Sequence, residues 1–204
     1  GSFWQPTGVI IDLAVLKSLP KREYVSGLAE VVKYGMILDA SFFEYLESVT
    51  PLLLARDEVV LERVVARCCE LKAQVVEQDE REETGLRAVL NYGHTFCHAL
   101  ESVSGYGRFL HGEAVSIGMI QASQLSERLG RIDRSLTVRQ QALLEKLQLP
   151  TKVIGLDSEL LLQAMQHDKK VEHGKLRFVL PTRMGHVELV GNVSPDLVRE
   201  VLLS

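Results

Sequence analysis

Apolar residues recur along most of the chain at the three- and four-residue spacing that is typical of amphipathic helices. Prolines and glycines interrupt these runs at the positions where helices are expected to begin or end. Ser41 is placed to cap the second helix, which is expected to reach Pro51. The predicted helices cover residues 23–38, 41–50, 58–76, 94–103, 111–129, 134–147, 158–166 and 196–202.

Alternating and β-branched residues indicate strands in only two regions. Lys175–Leu180 and His186–Val190 flank a turn that contains a proline and a glycine, so we expect a β-hairpin there. The run Val9–Leu13 is interpreted as a strand or an extended lead-in. The pattern therefore predicts a mainly α, multi-helical domain with a small β-hairpin.

Composition agrees with one folded domain that spans residues 1–204. The 204 residues are 46% hydrophobic and 25% charged, and a chain of this length buries on the order of 70% of its unfolded surface. The formal net charge of −4 argues against a nucleic-acid partner held by phosphate contacts. A local cationic pocket for a small anion is still compatible with that charge.

Cysteine usage and the absence of targeting signals indicate a cytoplasmic protein with no membrane partner. The three cysteines, Cys68, Cys69 and Cys97, cannot form a closed disulfide framework. The chain has neither a signal-peptide pattern nor an apolar run of about 20 residues. It begins with Gly1 and Ser2 instead of methionine, which is typical of a cloning remnant, so we expect an expressed fragment.

The densest polar cluster in an otherwise apolar region extends from Arg87 to His98. His94 and His98 are four residues apart, so on a helix they share one face, an arrangement that is common at zinc sites. A catalytic zinc needs about three protein ligands, and Glu30, which lies between apolar neighbours in a predicted helix, could complete the set. Two alternatives remain open: the histidines lie on an ordinary surface, or Glu30 faces solvent and pairs with Lys33.

Basic residues accompany these histidines along the chain. A metal together with such cations would suit a polyhydroxylated, doubly anionic substrate such as a phosphorylated sugar acid, although each cation could equally be a surface charge. Nucleotide-binding glycine motifs, the nucleophile elbow and the metalloprotease HExxH motif are all missing. The cations concerned are Lys33, Lys72, Arg87, Lys169 and Lys170.

Three separated segments closely resemble the 3-dehydroquinate synthase family. They are Gly27–Gly35 (GLAEVVKYG), Arg87–Ala99 (RAVLNYGHTFCHA) and His111–Val115 (HGEAV). The resemblance continues through Phe3–Pro6, Leu16–Pro20 and Asp168–Lys170, and it covers essentially the whole chain in the family's order and spacing.

The resemblance implies the C-terminal half of a two-domain α/β enzyme whose N-terminal, Rossmann-like NAD-binding domain is absent from this chain. It implies metal ligation by Glu30, His94 and His111, with zinc or a cobalt-type divalent ion. The remaining matches are substrate and cofactor residues. Lys33, Arg87, Asn91 and His98 match catalytic positions, Lys72 and one of Lys169 and Lys170 match substrate-binding positions, and Val15, Leu16, Lys17 and Ser18 match a stretch that touches the cofactor.

The family's reaction converts 3-deoxy-D-arabino-heptulosonate 7-phosphate into 3-dehydroquinate and phosphate, a lyase step of the shikimate pathway of aromatic amino acid biosynthesis. The resemblance implies NAD and zinc as cofactors, an anionic sugar-phosphate substrate, the N-terminal NAD domain as a partner and a homodimer at full length. The fragment alone is therefore expected to be inactive. One position departs from the family pattern, because Cys97 stands where a glycine is usual.

Other functions fit parts of the same pattern. Another sugar-phosphate cyclase, similar to 2-deoxy-scyllo-inosose synthase, would share the metal ligands and NAD but not a carboxylate-bearing substrate. A metal-dependent polyol dehydrogenase would make no cyclised product. A helical module without enzymatic activity would bind no metal, so zinc content separates it from the other candidates.

Overall fold

A computed structural model describes residues 7–80, 85–105, 107–153, 155–168 and 176–203. Within these ranges the chain forms helices connected by short loops, together with one β-hairpin, so the predicted mainly α fold is confirmed. The helices are α1 (Val15–Ser18), α2 (Lys21–Ile37), α3 (Ala40–Leu54), α4 (Glu58–Gln78), a 3₁₀ helix (Leu86–Asn91), α5 (His94–Ser104), α6 (His111–Arg128), α7 (Arg134–Lys146), α8 (Ser158–Asp168) and α9 (Pro195–Leu202).

The predicted hairpin consists of β1 (Arg177–Arg183) and β2 (His186–Gly191), which pair antiparallel. Phe178 lies opposite Val190, and the register shifts between Pro181 and Arg183. The turn residue Gly185 has φ +77°, and its N–H donates to the carbonyl of Met36 at 3.0 Å. This bond ties the hairpin to the end of α2.

Helix α6 lies at the centre of the molecule and is buried along most of its length. It packs against α2, α5, α7, α9 and β1. Two glycines allow its closest approaches: a Cβ at Gly112 would lie 1.9 Å from the carbonyl oxygen of Ser26, and one at Gly118 would lie 2.2 Å from that of Gly93. Helices α2 and α5 can therefore contact α6 through their backbones.

Helix α3 differs from the prediction at both ends. Asp39, not Ser41, is the N-cap, and its Oδ1 accepts a hydrogen bond from the Phe42 N–H at 2.9 Å. The helix also continues through Pro51 to Leu54. The Thr50 hydroxyl donates to the carbonyl of Leu46 at 2.9 Å and also lies 3.4 Å from that of Glu47, the acceptor that proline leaves without an amide partner.

The interpretation of Val9–Leu13 as a strand is wrong, because this segment has no regular structure and Ile10 is 99% exposed. A strand needs a neighbouring strand to pair with its backbone, and none lies beside these residues in the described part of the chain. The following helix α1 is held by Arg56, whose guanidinium donates to the carbonyls of Leu16, Lys17 and Leu19 at 2.7–3.0 Å. None of the helices described is long and apolar enough to cross a membrane.

Candidate metal and substrate site

Three helices bring Glu30, His94 and His111 together. Glu30 lies in α2, and the two histidines are the first residues of α5 and α6. Glu30 Oε1 is 3.8 Å from His94 Nε2 and 3.8 Å from His111 Nε2, and one ligand atom from each residue lies within 4.8 Å of the others. A tetrahedral zinc with nitrogen and oxygen ligands has ligand–ligand separations of about 3.4 Å, so the two separations from Glu30 Oε1 exceed that value by only about 0.4 Å.

The two oxygens of Glu30 have different environments. Oε2 lies 2.5 Å from the ammonium of Lys33, whose side chain is only 5% exposed. Oε1 is buried and has no hydrogen-bond partner within the described chain, although it points toward two imidazole nitrogens. An unpaired buried carboxylate oxygen costs free energy, and a divalent cation would satisfy it. The residues therefore fit the metal, and the pair with Lys33 exists alongside this arrangement.

Both histidines are oriented by acceptors on their Nδ1 side. His94 Nδ1 lies 3.2 Å from the carbonyl of Tyr92, and His111 Nδ1 lies 3.1 Å from Glu101 Oε1. In each case the acceptor places the ring proton on Nδ1 and leaves the lone pair on Nε2, which faces Glu30. Burial, reinforced by the Lys33 ammonium, lowers the pKa of His94 to about 4. Its imidazole is therefore neutral near pH 7, which is the form that binds metals.

Glycines place these histidines at helix starts. Gly93 adopts the left-handed conformation with φ +80° and directly precedes α5, so the chain turns sharply before His94. Gly112, the second residue of α6, donates its N–H to the hydroxyl of Ser26 at 3.0 Å. This bond docks the start of α6 on α2, the helix that carries Glu30.

The structure brings His98 and Lys33 to the same place as the three candidate ligands. The imidazole of His98 is exposed, and its centroid lies 5.7 Å from that of His94 in an edge-to-face contact. The predicted pairing of His94 and His98 on one helix face is thus present in α5, with His98 beside the candidate ligand His94.

Arg87 and Asn91 lie on the 3₁₀ helix that leads into His94. The Arg87 backbone N–H donates to Asp79 Oδ2 at 3.2 Å, and its guanidinium reaches the carbonyl of Glu80 at 3.4 Å. Asn91 is exposed. These bonds connect the 3₁₀ helix to the end of α4.

Lys72 is exposed on α4, one turn after the half-buried Cys68. Burial is the main cause that raises the pKa of Cys68 to about 12, and the negative charges of Cys69 and Glu30 raise it further. Since Cys68 and Lys72 are four residues apart, they share one face of α4, and a substrate contact by Lys72 remains a prediction.

The other predicted contacts with substrate and cofactor are not brought into this cluster. Lys169 and Lys170 lie outside the described residues. Val15, Leu16, Lys17 and Ser18 form α1, where Lys17 pairs with Glu58. Their role as cofactor contacts remains a prediction.

Two residues to which the sequence pattern assigned no role in the site contact His111. Glu101 accepts its Nδ1 proton, and the buried thiol of Cys97 lies 3.8 Å from the same nitrogen. Burial is the main cause that raises the pKa of Cys97. The signal for Glu101 was available, because it follows His98 by three residues and so lies on the same helix face.

The chain is similar to known proteins over its whole length. A family profile described as "3-dehydroquinate synthase C-terminal" matches residues 27–171, a range that contains all three candidate ligands. The chain belongs to this family. Curated relatives named 3-dehydroquinate synthase include those of Rhodopirellula baltica, 51% identical over 100% of the chain and 54% of the relative, and Shewanella loihica, 48% identical over 99% and 56%.

Solved sugar-phosphate cyclases share the fold. ValA, the 2-epi-5-epi-valiolone synthase of Streptomyces hygroscopicus subsp. jinggangensis 5008 solved with NAD⁺ and Zn²⁺ bound, is 26% identical with a TM-score of 0.85, covering 94% of this chain and 53% of ValA. A 2-deoxy-scyllo-inosose synthase complexed with carbaglucose-6-phosphate, NAD⁺ and Co²⁺ is 26% identical with a TM-score of 0.81, covering 94% and 55%. The chain thus spans about half the length of the relatives it matches.

Proposed function

We propose that residues 1–204 form the metal- and substrate-binding domain of a cytoplasmic, homodimeric 3-dehydroquinate synthase. This enzyme would convert 3-deoxy-D-arabino-heptulosonate 7-phosphate into 3-dehydroquinate and phosphate with NAD and zinc. Relatives that are 51% and 48% identical to this chain carry that name. Solved structures of similar proteins hold NAD⁺ with Zn²⁺ or Co²⁺. The observation that carries the proposal is the buried, unpaired Oε1 of Glu30, which faces the Nε2 atoms of His94 and His111.

Glu30, His94 and His111 would hold the metal. When bound, the metal would polarise a substrate hydroxyl or carbonyl oxygen, and NAD would carry the hydride. Three protein ligands leave room in a zinc coordination sphere for a substrate oxygen. The side chain of His111 is 52% exposed, so the substrate can approach from its side of the cluster.

Lys33 and His98 would act directly beside that oxygen. The Lys33 ammonium fixes Oε2 of Glu30 and so keeps Oε1 turned toward the histidines. Its positive charge also stabilises negative charge that develops on a nearby oxygen. His98 is exposed, next to His94, and its imidazole is of the type that most often moves protons near neutral pH.

Arg87, Asn91 and Lys72 would bind the anionic and hydroxyl groups that are remote from the reacting carbon. Arginine binds carboxylates through two parallel hydrogen bonds, whereas lysine binds phosphate as a point charge. We assign one lysine of the pair Lys169 and Lys170 to the same task. These contacts would hold the substrate in one orientation, which is a large part of the rate enhancement of such enzymes.

The cofactor would be shared between this domain and a second one. We propose that Val15, Leu16, Lys17 and Ser18 contact NAD from this side and that an N-terminal domain supplies the rest of its site. The chain alone is then expected to bind metal but to form no 3-dehydroquinate when NAD⁺ and substrate are added. Formation of 3-dehydroquinate by the chain alone would contradict the two-domain proposal but would not contradict the metal site.

The metal site is tested by Co²⁺ titration of the purified chain, followed through the visible absorption of the bound ion. We expect one equivalent to bind. Glu30→Gln removes the charged ligand and should weaken binding by more than about 100-fold, because even outer partners of metal ligands are worth about 10- to 100-fold. Glu23→Gln, at the other glutamate of α2, is the matched control and should bind normally. Equal affinity of both variants would refute the site.

A second candidate is a cyclase that acts on a sugar phosphate without a carboxylate, favoured by the likeness to 2-deoxy-scyllo-inosose synthase. Arg87 and Asn91 favour the sugar acid, because a carboxylate is the partner that a guanidinium binds best. Isothermal titration of the metal-loaded chain with 3-deoxy-D-arabino-heptulosonate 7-phosphate and with glucose 6-phosphate compares the two. Tighter binding of glucose 6-phosphate would favour the second candidate.

A further inference from the structure

The imidazole of His111 faces two groups of metal-binding atoms, one on each ring nitrogen. Its Nε2 lies 3.8 Å from Glu30 Oε1, in the site described above. Its Nδ1 lies 3.1 Å from Glu101 Oε1 and 3.8 Å from the sulfur of Cys97. Ligand atoms of Cys97, Glu101 and His111 all lie within 4.8 Å of one another. The second group involves neither Glu30 nor His94.

We propose that Cys97, Glu101 and His111 form a second, inhibitory site for a thiophilic divalent cation such as Cd²⁺ or Zn²⁺ in excess. A tetrahedral ion with bonds of zinc length separates a sulfur from a nitrogen ligand by about 3.6 Å and a nitrogen from an oxygen ligand by about 3.4 Å. The observed sulfur–nitrogen separation of 3.8 Å and nitrogen–oxygen separation of 3.1 Å each lie within about 0.3 Å of the corresponding value. Thiolate, imidazole and carboxylate together form a ligand set for soft and borderline ions.

The site can be reached from outside although its sulfur is buried. Cys97 is completely buried, whereas the side chains of Glu101 and His111 are 23% and 52% exposed. An ion can therefore reach the sulfur from the exposed side of the His111 imidazole. On binding, the sulfur exchanges its proton for a bond to the metal, and that proton passes to the solvent. The Nδ1 proton of His111 moves to Nε2, which leaves the Nδ1 lone pair for the ion.

This tautomer change makes the two sites mutually exclusive. A neutral imidazole has one lone pair, so His111 can ligate through Nε2 together with Glu30 or through Nδ1 together with Cys97, but not both. A thiophilic ion at the second site therefore withdraws one of the three ligands from the first. This antagonism rests on the proposed function of the first site, whereas the existence of the second site does not.

The second site is tested by Cd²⁺ titration of the full chain, followed through the ultraviolet charge-transfer band of a cadmium–thiolate bond. Cys68→Ser and Cys69→Ser are introduced first, because the other two thiols would also give this band. In the variant that carries Cys68→Ser and Cys69→Ser, we expect a band whose intensity corresponds to one cadmium–thiolate bond per chain. We expect no band when Cys97→Ala is added. Cys97→Ser, which nearly preserves the side-chain volume, should also lack the band. The proposal would be overturned if the band survived either substitution of Cys97. It would also be overturned if the variant that carries only Cys68→Ser and Cys69→Ser showed no band.

Glu30→Gln distinguishes the second site from a ligand shared with the first. It removes a ligand of the first site only, so the cadmium–thiolate band should persist. Loss of the band in Glu30→Gln would mean that Cys97 joins the first site instead, which contradicts the proposal. If Co²⁺ never binds the chain but the band appears and requires Cys97, the proposed function fails and the second site stands.

Antagonism is measured by adding Cd²⁺ to the chain loaded with Co²⁺. The visible spectrum of Co²⁺ should disappear in step with the rise of the thiolate band. After Cys97→Ala, Cd²⁺ can displace Co²⁺ only by competing at the first site, and we expect displacement to need at least tenfold more Cd²⁺. Displacement at the same concentration in both chains, or a chain that holds Co²⁺ and a cadmium–thiolate bond together, would refute mutual exclusion.

Discussion

Single side chains decide which nitrogen of each histidine is available to a metal. Tyr92 supplies a backbone carbonyl to His94, whereas Glu101 supplies a charged carboxylate to His111. A carboxylate both fixes the ring orientation and makes the opposite nitrogen a stronger donor. His111 needs this support more than His94 does, because it is the more exposed of the two imidazoles.

Glu101→Gln should therefore weaken Co²⁺ binding at the first site by about 10- to 100-fold, the usual cost of losing such a partner. The amide can still contact Nδ1 but carries no charge. Glu101→Asp, which keeps the carboxylate, should recover part of the affinity, and Glu77→Gln on the exposed surface of α4 should have no effect. Co²⁺ titration of the three variants gives the measurement. Equal affinities for Glu101→Gln and the unchanged chain would show that Glu101 does not position His111.

The residue pattern alone points to Glu30, His94 and His98, whereas His111 enters as a candidate ligand only through the family resemblance. Neither source predicts the contacts that support these residues. Sequence could not show that Glu30 divides its oxygens between Lys33 and the histidines, because that depends on one side-chain rotamer. Nor could it show that Cys97 meets His111, since this contact depends on how α5 packs against α6.

At the scale of elements, Asp39 fixes the start of α3 and joins it to α4. One oxygen caps α3, and the other accepts two hydrogen bonds from the guanidinium of Arg67, at 2.6 and 2.9 Å. Burial opposes ionisation of Asp39, but the Phe42 N–H and Arg67 together hold its pKa below the usual value. The ion pair therefore stabilises the fold wherever Asp39 is ionised.

Asp39→Asn should keep the cap and lose the charge, at a cost of about 1 kcal/mol near pH 7. Because the folded-state pKa is depressed, this stabilisation is fully present above the unfolded pKa of about 3.9 and declines as the pH falls through the lower folded value. The difference in unfolding free energy between the two chains should thus shrink below about pH 4. Urea unfolding at several pH values measures it. Ser41→Ala should change little, and a larger effect there would mean that Ser41 is the cap.

Local sequence signals identified most helices and failed at the two ends of α3 and at the segment Val9–Leu13. Asp39 is preferred over Ser41 as a cap because its second oxygen also bonds to Arg67, 28 residues later. The run Val9–Leu13 has strand-forming residues, but no strand lies beside it in the described part of the chain. Helix α3 continues past Pro51, and a threonine hydroxyl lies beside the acceptor that the proline cannot serve. Periodicity shows none of these features, because each depends on a particular side-chain contact or on whether a second strand is available.

The approach of α6 to α2 gives a prediction about glycine. Gly112→Ala should be strongly destabilising, by about 1–3 kcal/mol or more, because its Cβ would lie 1.9 Å from a backbone oxygen of Ser26. Gly27→Ala is the matched control, since nothing lies within 4 Å of a Cβ there. That change should stabilise α2 by up to about 1 kcal/mol through helix propensity. Thermal unfolding gives the melting temperatures of both variants. Similar values would show that α6 can shift away from α2 at little cost in free energy.

At the scale of the whole molecule, a metal bound to Glu30, His94 and His111 would connect the central helix α6 with α2 and α5, two of the helices that pack against it. An ion that binds only the folded chain stabilises it by about 2.7 kcal/mol at 100 times its dissociation constant. For a domain of this size, that corresponds to a rise of about 5–11 °C in melting temperature. Differential scanning calorimetry with Co²⁺ and after chelation measures the shift. Glu30→Gln should melt at nearly the same temperature with and without Co²⁺, because the ion then has too few ligands to bind tightly. If the unchanged chain also melts at one temperature under both conditions, the three helices are not joined through a metal.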